Sequence, residues 1–172
     1  DVLGDVVCGG FAAPMRKSAR SKVVIVLSEE LMAAYAANRI AAAVREFHSN
    51  DVRLAGFVIN LKSNQADIRP IQRFAEAIGT RVLGVLPRDP LVCEAEMYRQ
   101  CIVQYAPDSP VAVGIQAVIH AVTALDRAAL DAPKPLLEHD LRRIMRGGST
   151  DEPLPSPPPI EQRKSKITEW SQ

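Results

Sequence analysis

The sequence has few of the residues that would cross-link it covalently or hold it in lipid. Cys8, Cys93 and Cys101 are the only cysteines among 172 residues. They are too few and too scattered for a disulfide scaffold, and the odd count leaves at least one thiol unpaired. A reducing, cytoplasmic setting is therefore expected. Charge of one sign is also missing: 21 Lys+Arg stand against 20 Asp+Glu, a formal net charge of +1. Bulk electrostatics thus gives no reason to expect nucleic acid or a membrane surface as partner. No apolar run approaches the roughly 18–20 residues that cross a bilayer. His48, His120 and His139 are dispersed, without metal-ligand spacing.

The chain does have the composition of an ordinary globular domain, 47% hydrophobic and 24% charged. Lys22 to Leu27 reads KVVIVL, the pattern of a strand buried on both faces. Ser28 is placed to cap an alanine-rich helix over about Glu29–His48, with Glu29 and Glu30 in its first turn. Arg53–Asn60 predicts a second strand. From about Gln65 to Ile78, apolar residues at helical spacing predict a helix that Gly79 stops. Arg81–Leu86 predicts a third strand, ended by Pro87. Further helices are expected over Leu91–Arg99, Val111–Leu130 and Leu136–Met145. Strands alternating with helices through short links predict an α/β fold, a parallel sheet with helices on both faces.

Two organisational expectations follow. Residues 149–172 hold five of the thirteen prolines, including Pro157-Pro158-Pro159, and almost no apolar periodicity. They cannot bury enough surface to offset their ordering entropy, so a disordered tail is expected after a domain at 1–148. At the other end the chain opens on Asp1-Val2-Leu3-Gly4-Asp5-Val6-Val7, which reads as the end of a buried strand and its turn. The expectation is the C-terminal portion of a longer chain.

The chemistry-bearing segment is Asp1 to Phe11, DVLGDVVCGGF. Asp1 and Gly4 have the D-x-x-G form of a nucleotide switch. An aspartate there holds the water shell of Mg²⁺, and the glycine N–H approaches a γ-phosphate unobstructed. The same four residues also fit a strand-ending aspartate with a turn glycine. Cys8-Gly9-Gly10 places a thiolate beside exposed N–H groups, which stabilise an anion or the sulfurs of an iron–sulfur cluster. One cysteine cannot hold a four-iron cluster unaided, and Cys93 and Cys101 show no ligand spacing relative to it.

The run DVLGDVVCGGFAAPMR resembles the switch region and second cluster cysteine of the nitrogenase iron protein (dinitrogenase reductase) family. That family includes the iron-protein subunits of the light-independent protochlorophyllide and chlorophyllide reductases. The likeness continues through Met32–Ile40, Val52–Gly56 and Leu86-Pro87-Arg88-Asp89, over about residues 1–130. It implies the C-terminal part of a P-loop NTPase-type fold: a homodimeric ATPase with one [4Fe–4S] cluster bridging its subunits. The phosphate loop and the first cluster cysteine would lie in an N-terminal half that precedes this sequence. By the same resemblance, Cys8 is a cluster ligand shared between two subunits and Asp1 binds Mg²⁺ through water. Gly4 senses the γ-phosphate of MgATP, and Asp5 positions water for hydrolysis and couples the nucleotide state to the cluster. Asn60 stands where the family recognises adenine; its amide offers the donor and the acceptor that a purine edge needs. Pro87, Arg88 and Asp89 match a segment lying against base and ribose, and Glu96 matches a ribose contact.

The function implied is ATP-gated electron transfer to a partner catalytic component, a dinitrogenase-like heterotetramer, with ferredoxin or flavodoxin as electron donor. Two rivals remain: an iron protein serving a tetrapyrrole or other substrate, and a cluster-free partitioning-type P-loop ATPase, which would need no cysteine at Cys8. Without a phosphate loop, the chain by itself is expected neither to bind ATP tightly nor to assemble a full cluster. Three features depart from the family pattern. Cys93 replaces a glutamine near the adenine, Leu61-Lys62-Ser63-Asn64 replaces a polar, arginine-containing stretch, and the proline-rich tail is added. Arg16, Lys17, Arg20 and Lys22 form a small basic cluster that fits a solvated turn or a docking patch for an acidic partner.

Overall fold

The computed structural model describes residues 20–147. Three strands, β1 (Lys22–Leu27), β2 (Arg53–Asn60) and β3 (Val82–Leu86), form a parallel sheet in the order β1-β2-β3. Six α-helices accompany them: α1 (Leu31–Glu46), α2 (Arg69–Ala77), α3 (Leu91–Met97), α4 (Ile102–Tyr105), α5 (Pro110–Ala124) and α6 (Glu138–Met145). Short 3-10 turns cover His48–Asn50 and Arg127–Ala129.

Side chains alternate across each strand, so the two faces of the sheet pack separately. Ile25, Leu27, Leu54, Phe57 and Ile59 point to one face, where α1, α2 and α6 bury them with Ala34, Ala37, Ala41, Val44, Ile71, Phe74 and Leu141. The rings of Phe57 and Phe74 meet there with centroids 5.2 Å apart. On the other face Gly84 and Leu86 lie under α5, against Val118 and Gly114. A smaller cluster of Ala95, Ile102, Val111 and Ala112 continues this second layer. The α/β fold with helices on both faces is thus as the alternation predicts.

Gly56 interrupts the pairing register between β1 and β2. It has φ +152°, and a Cβ there would stand 2.6 Å from the Arg81 carbonyl oxygen, which accepts from Phe57 N at 2.8 Å. Only glycine lets β3 approach so closely. Gly79, at φ +78°, ends its helix as the sequence implies.

The helix boundaries depart from expectation for identifiable reasons. Helix α1 starts at Leu31, not Glu29, and Ser28 does not cap it: its hydroxyl donates to Glu30 Oε2 at 3.2 Å. The two glutamates are drawn instead to the loop after β2. Helix α2 starts at Arg69 because Asp67 turns the chain, accepting from Arg69 N and its guanidinium at 3.0 and 2.8 Å, and Pro70 fits the first turn. Helix α5 ends at Ala124, short of Leu130. Lys22 Nζ donates to the Val122 and Leu125 carbonyls at 2.8 and 2.6 Å, and Asp126 starts a new turn by accepting from Ala128 N. Lys22 is therefore an end-cap of α5 and not part of a free basic patch. The four-residue α4 had no sequence signal.

One expectation about β1 fails. Ile25 and Leu27 are buried, but on the other face Val24 is only half-buried and Val26 is 63% exposed, so that face is incompletely covered among the described residues. Helix α5 lies over β3 and meets β1 through Lys22.

Candidate functional site

In a parallel sheet all strands end at the same edge, and the loops leaving that edge enclose the usual ligand crevice of an open α/β fold. Here β1 ends at Leu27, β2 at Asn60 and β3 at Leu86, and the three loops that follow surround a cleft of ≈ 970 Å³. That is within the ~300–1,000 Å³ range of small-molecule sites. Its walls are apolar, supplied by Leu27, Leu61, Leu86, Val92, Val111 and Ile115. Its polar groups are Ser28, Glu30, Asn60, Lys62, Arg88 and Asp89, at the strand ends and loop rims. Apolar walls with few polar groups suit a flat heteroaromatic ring that needs orienting.

The loops are tied to one another. After β1, the Glu29 carboxylate accepts from the backbone N–H groups of Lys62 and Ser63 at 3.0 and 3.3 Å. Its neighbour Glu30 pairs with Lys62 Nζ at 2.9 Å. That hydrogen bond, helped by one from Ser28, holds the Glu30 carboxyl below the usual carboxylate range. After β3, Asp89 Oδ1 accepts from Leu91 N at 3.0 Å, a local turn that starts α3. The Asn64 carboxamide meets the backbone of Arg88 with two hydrogen bonds.

The structure brings four of the expected nucleotide residues together: Asn60, Pro87, Arg88 and Asp89 all line this one cleft. Glu96 sits on α3 and is exposed, but it does not line the cleft. Cys93 does line it, at the position where the family pattern has glutamine. Asp1, Gly4, Asp5 and Cys8 lie outside the described residues, as do Arg16 and Lys17 and the segment from 148 onward. Sequence reading missed Glu29, Glu30 and Lys62 as rim groups. Two adjacent carboxylates before an alanine-rich run look like the first turn of a helix, and only the folded loop arrangement puts Lys62 beside them.

Residues 1–149 match the family described as 4Fe-4S iron sulfur cluster binding proteins, NifH/frxC family. The chain belongs to the NifH/frxC family. The match takes in the Asp1–Cys8 motif, the sheet and the cleft together. Two solved structures are similar in part to this NifH/frxC chain. One is the MinD cell division protein of Aquifex aeolicus, at 13% identity and TM-score 0.47, covering 62% of this chain and 45% of that one. The other is the septum site-determining protein MinD of Pyrococcus horikoshii, complexed with Mg-ADP, at 22% identity and TM-score 0.47, covering 63% and 42%. This chain spans less than half the length of either.

Among the described residues of this NifH/frxC chain, no three His, Cys, Asp or Glu side chains converge on a metal site. Cys93 and Cys101 are free and exposed. The third cysteine, Cys8, lies outside the described residues. No helix of the described residues is long and apolar enough to cross a membrane.

Proposed function

We propose that this chain is the C-terminal part of an ATP-dependent electron-transfer reductase, a homodimeric [4Fe–4S] iron protein that passes electrons to a partner catalytic component of nitrogenase type. The supporting observation is the convergence of Asn60, Pro87, Arg88 and Asp89 on one cleft at the carboxyl edge of the sheet, in a NifH/frxC chain whose first residues carry Asp1, Gly4, Asp5 and Cys8. Ferredoxin or flavodoxin is the electron donor in this reading, and the partner is a dinitrogenase-like heterotetramer.

The division of labour among the residues follows from their chemistry. The apolar walls hold the adenine, and the Asn60 amide matches its donor–acceptor edge. Arg88 and Asp89 lie along the base and ribose. Asp1 would hold Mg²⁺ through its water shell, Gly4 would offer its N–H to the γ-phosphate, and Asp5 would orient the attacking water. Cys8 and the equivalent cysteine of a second subunit would contribute two of the thiolates that hold the cluster, which when bound would supply the one-electron redox chemistry. Asp1 and Cys8 are close in sequence, so a shift at a bound nucleotide would be passed to the cluster through a short stretch of backbone.

The test is Cys8→Ala in the full-length protein. The expected result is loss of the four-iron EPR signal and of bound iron, with the fold retained. An intact cluster signal in that variant would sink the assignment.

A further inference from the structure

Beyond Leu86 the β3 side of the sheet is continued by a side chain. The β2–β3 pairing runs on past Asn60, with Leu61 N donating to the Leu86 carbonyl at 3.0 Å. In a parallel pair every second residue bonds to the neighbouring strand, so after Leu86 it is Arg88, not Pro87, whose N–H and carbonyl face the β2 side. Its partner there is a side chain: Arg88 N donates to Asn64 Oδ1 at 2.7 Å, and Asn64 Nδ2 donates to the Arg88 carbonyl at 2.9 Å. A carboxamide has the same donor and acceptor as a peptide group, so Asn64 stands in for one strand residue. The same geometry recurs in the core. There Asn38 Nδ2 donates to the Leu136 carbonyl at 2.8 Å, and Leu136 N donates to Asn38 Oδ1 at 2.9 Å.

The two clamps differ in what they hold. Asn38 fastens the segment that leads into α6. Asn64 is exposed, does not line the cleft, and holds the one peptide between Pro87 and Asp89, both of which do. On its other side the Asn64 loop is fixed by Glu29, which accepts from Lys62 N and Ser63 N. The rim after β3 is thus braced through Asn64 to the rims after β2 and β1.

We infer that Asn64 is a positioning residue for the nucleotide cleft: through its two hydrogen bonds to the Arg88 backbone it sets where Arg88 and Asp89 meet the base and ribose, without touching the ligand. This rests on the nucleotide reading above. Its effect must fall on the nucleoside end of the ligand, because the phosphates are handled by residues elsewhere.

The experiment uses Asn64→Ala and Asn64→Asp in the full-length protein. Asn64→Ala removes both bonds, while Asn64→Asp keeps the acceptor for Arg88 N and loses the donor. Backbone amide exchange at Arg88 and titrations with MgADP and with inorganic pyrophosphate are read in parallel. Losing the clamp is expected to speed Arg88 exchange by about tenfold in Asn64→Ala, the scale of one net hydrogen bond. MgADP affinity is expected to fall by a similar factor, about tenfold, with pyrophosphate affinity and melting temperature unchanged. The aspartate variant should keep the protection of the Arg88 amide and lose MgADP affinity. Unchanged Arg88 exchange in Asn64→Ala would overturn the clamp. Equal losses for MgADP and pyrophosphate would overturn the positioning role. Wild-type protein that binds no MgADP, with Arg88 exchange still accelerated in the variant, would overturn the nucleotide reading and the positioning role with it, leaving the contact itself intact.

Discussion

Hydrogen bonds from single side chains set much of the local geometry here, and one of them has a direct spectroscopic consequence. Tyr105 on α4 donates its hydroxyl to Glu94 Oε1 on α3 at 2.6 Å, and its ring stacks on Tyr98 with centroids 5.6 Å apart. The bond to Glu94 pushes the Tyr105 phenol up to about 12, because ionisation would lose the donor and place a second negative charge beside the carboxylate. The contribution to stability is therefore full below the ordinary tyrosine value of about 10 and is lost as pH rises towards the raised one. Glu94→Gln should bring the Tyr105 phenolate transition, isolated by subtracting the Tyr105→Phe titration, back towards the ordinary value. A transition left near 12 would show that Glu94 is not the cause.

Between elements, α5 and β3 approach closely at two glycines. A Cβ at Gly84 would collide with the Val118 side chain, and one at Gly114 would stand 3.1 Å from Leu86 Cδ2. Val118 is β-branched, with little rotamer freedom in a helix, so it cannot swing aside cheaply. Gly84→Ala should therefore cost about 1–3 kcal/mol by overpacking, measured by urea unfolding, and adding Val118→Ala should recover most of the loss. A neutral Gly84→Ala would mean that α5 does not seat where the structure places it. The helix itself was legible in its alanine and valine content. Its end was not, because Lys22 Nζ, about a hundred residues away in sequence, takes up the Val122 and Leu125 carbonyls. The same holds at the start of α1, where Glu29 and Glu30 leave the helix for partners in the loop after β2.

Across the whole molecule, long-range ties bring the end of the chain back onto the sheet layer. Asp51, in the left-handed region at φ 64°, pairs with Arg53 at 3.2 Å and with Arg127, so the segment after α5 is fastened to the start of β2. The Arg127 hydrogen bond holds the Asp51 carboxyl below its usual range. A depressed carboxyl stabilises the fold above its unfolded pKa, and the contribution is lost as pH falls through the folded value. Asp51→Asn should flatten the acid limb of the stability curve below about pH 4 relative to wild type; parallel curves there would count against the tie. Asp67, lowered to about 2 by Arg69, adds to the same acid limb and remains in both proteins. By itself the sequence determined the three strands, the α/β class and the family, because runs of apolar residues and short motifs are local facts, and it singled out Asn60 and Pro87-Arg88-Asp89 as candidates. Tertiary structure decided which of these residues share a cleft, where helices stop, and that the Asn64 side chain meets the Arg88 backbone beyond the end of β3. Those outcomes depend on groups far apart in sequence meeting at hydrogen-bond distance, and such meetings leave no periodic trace in the chain.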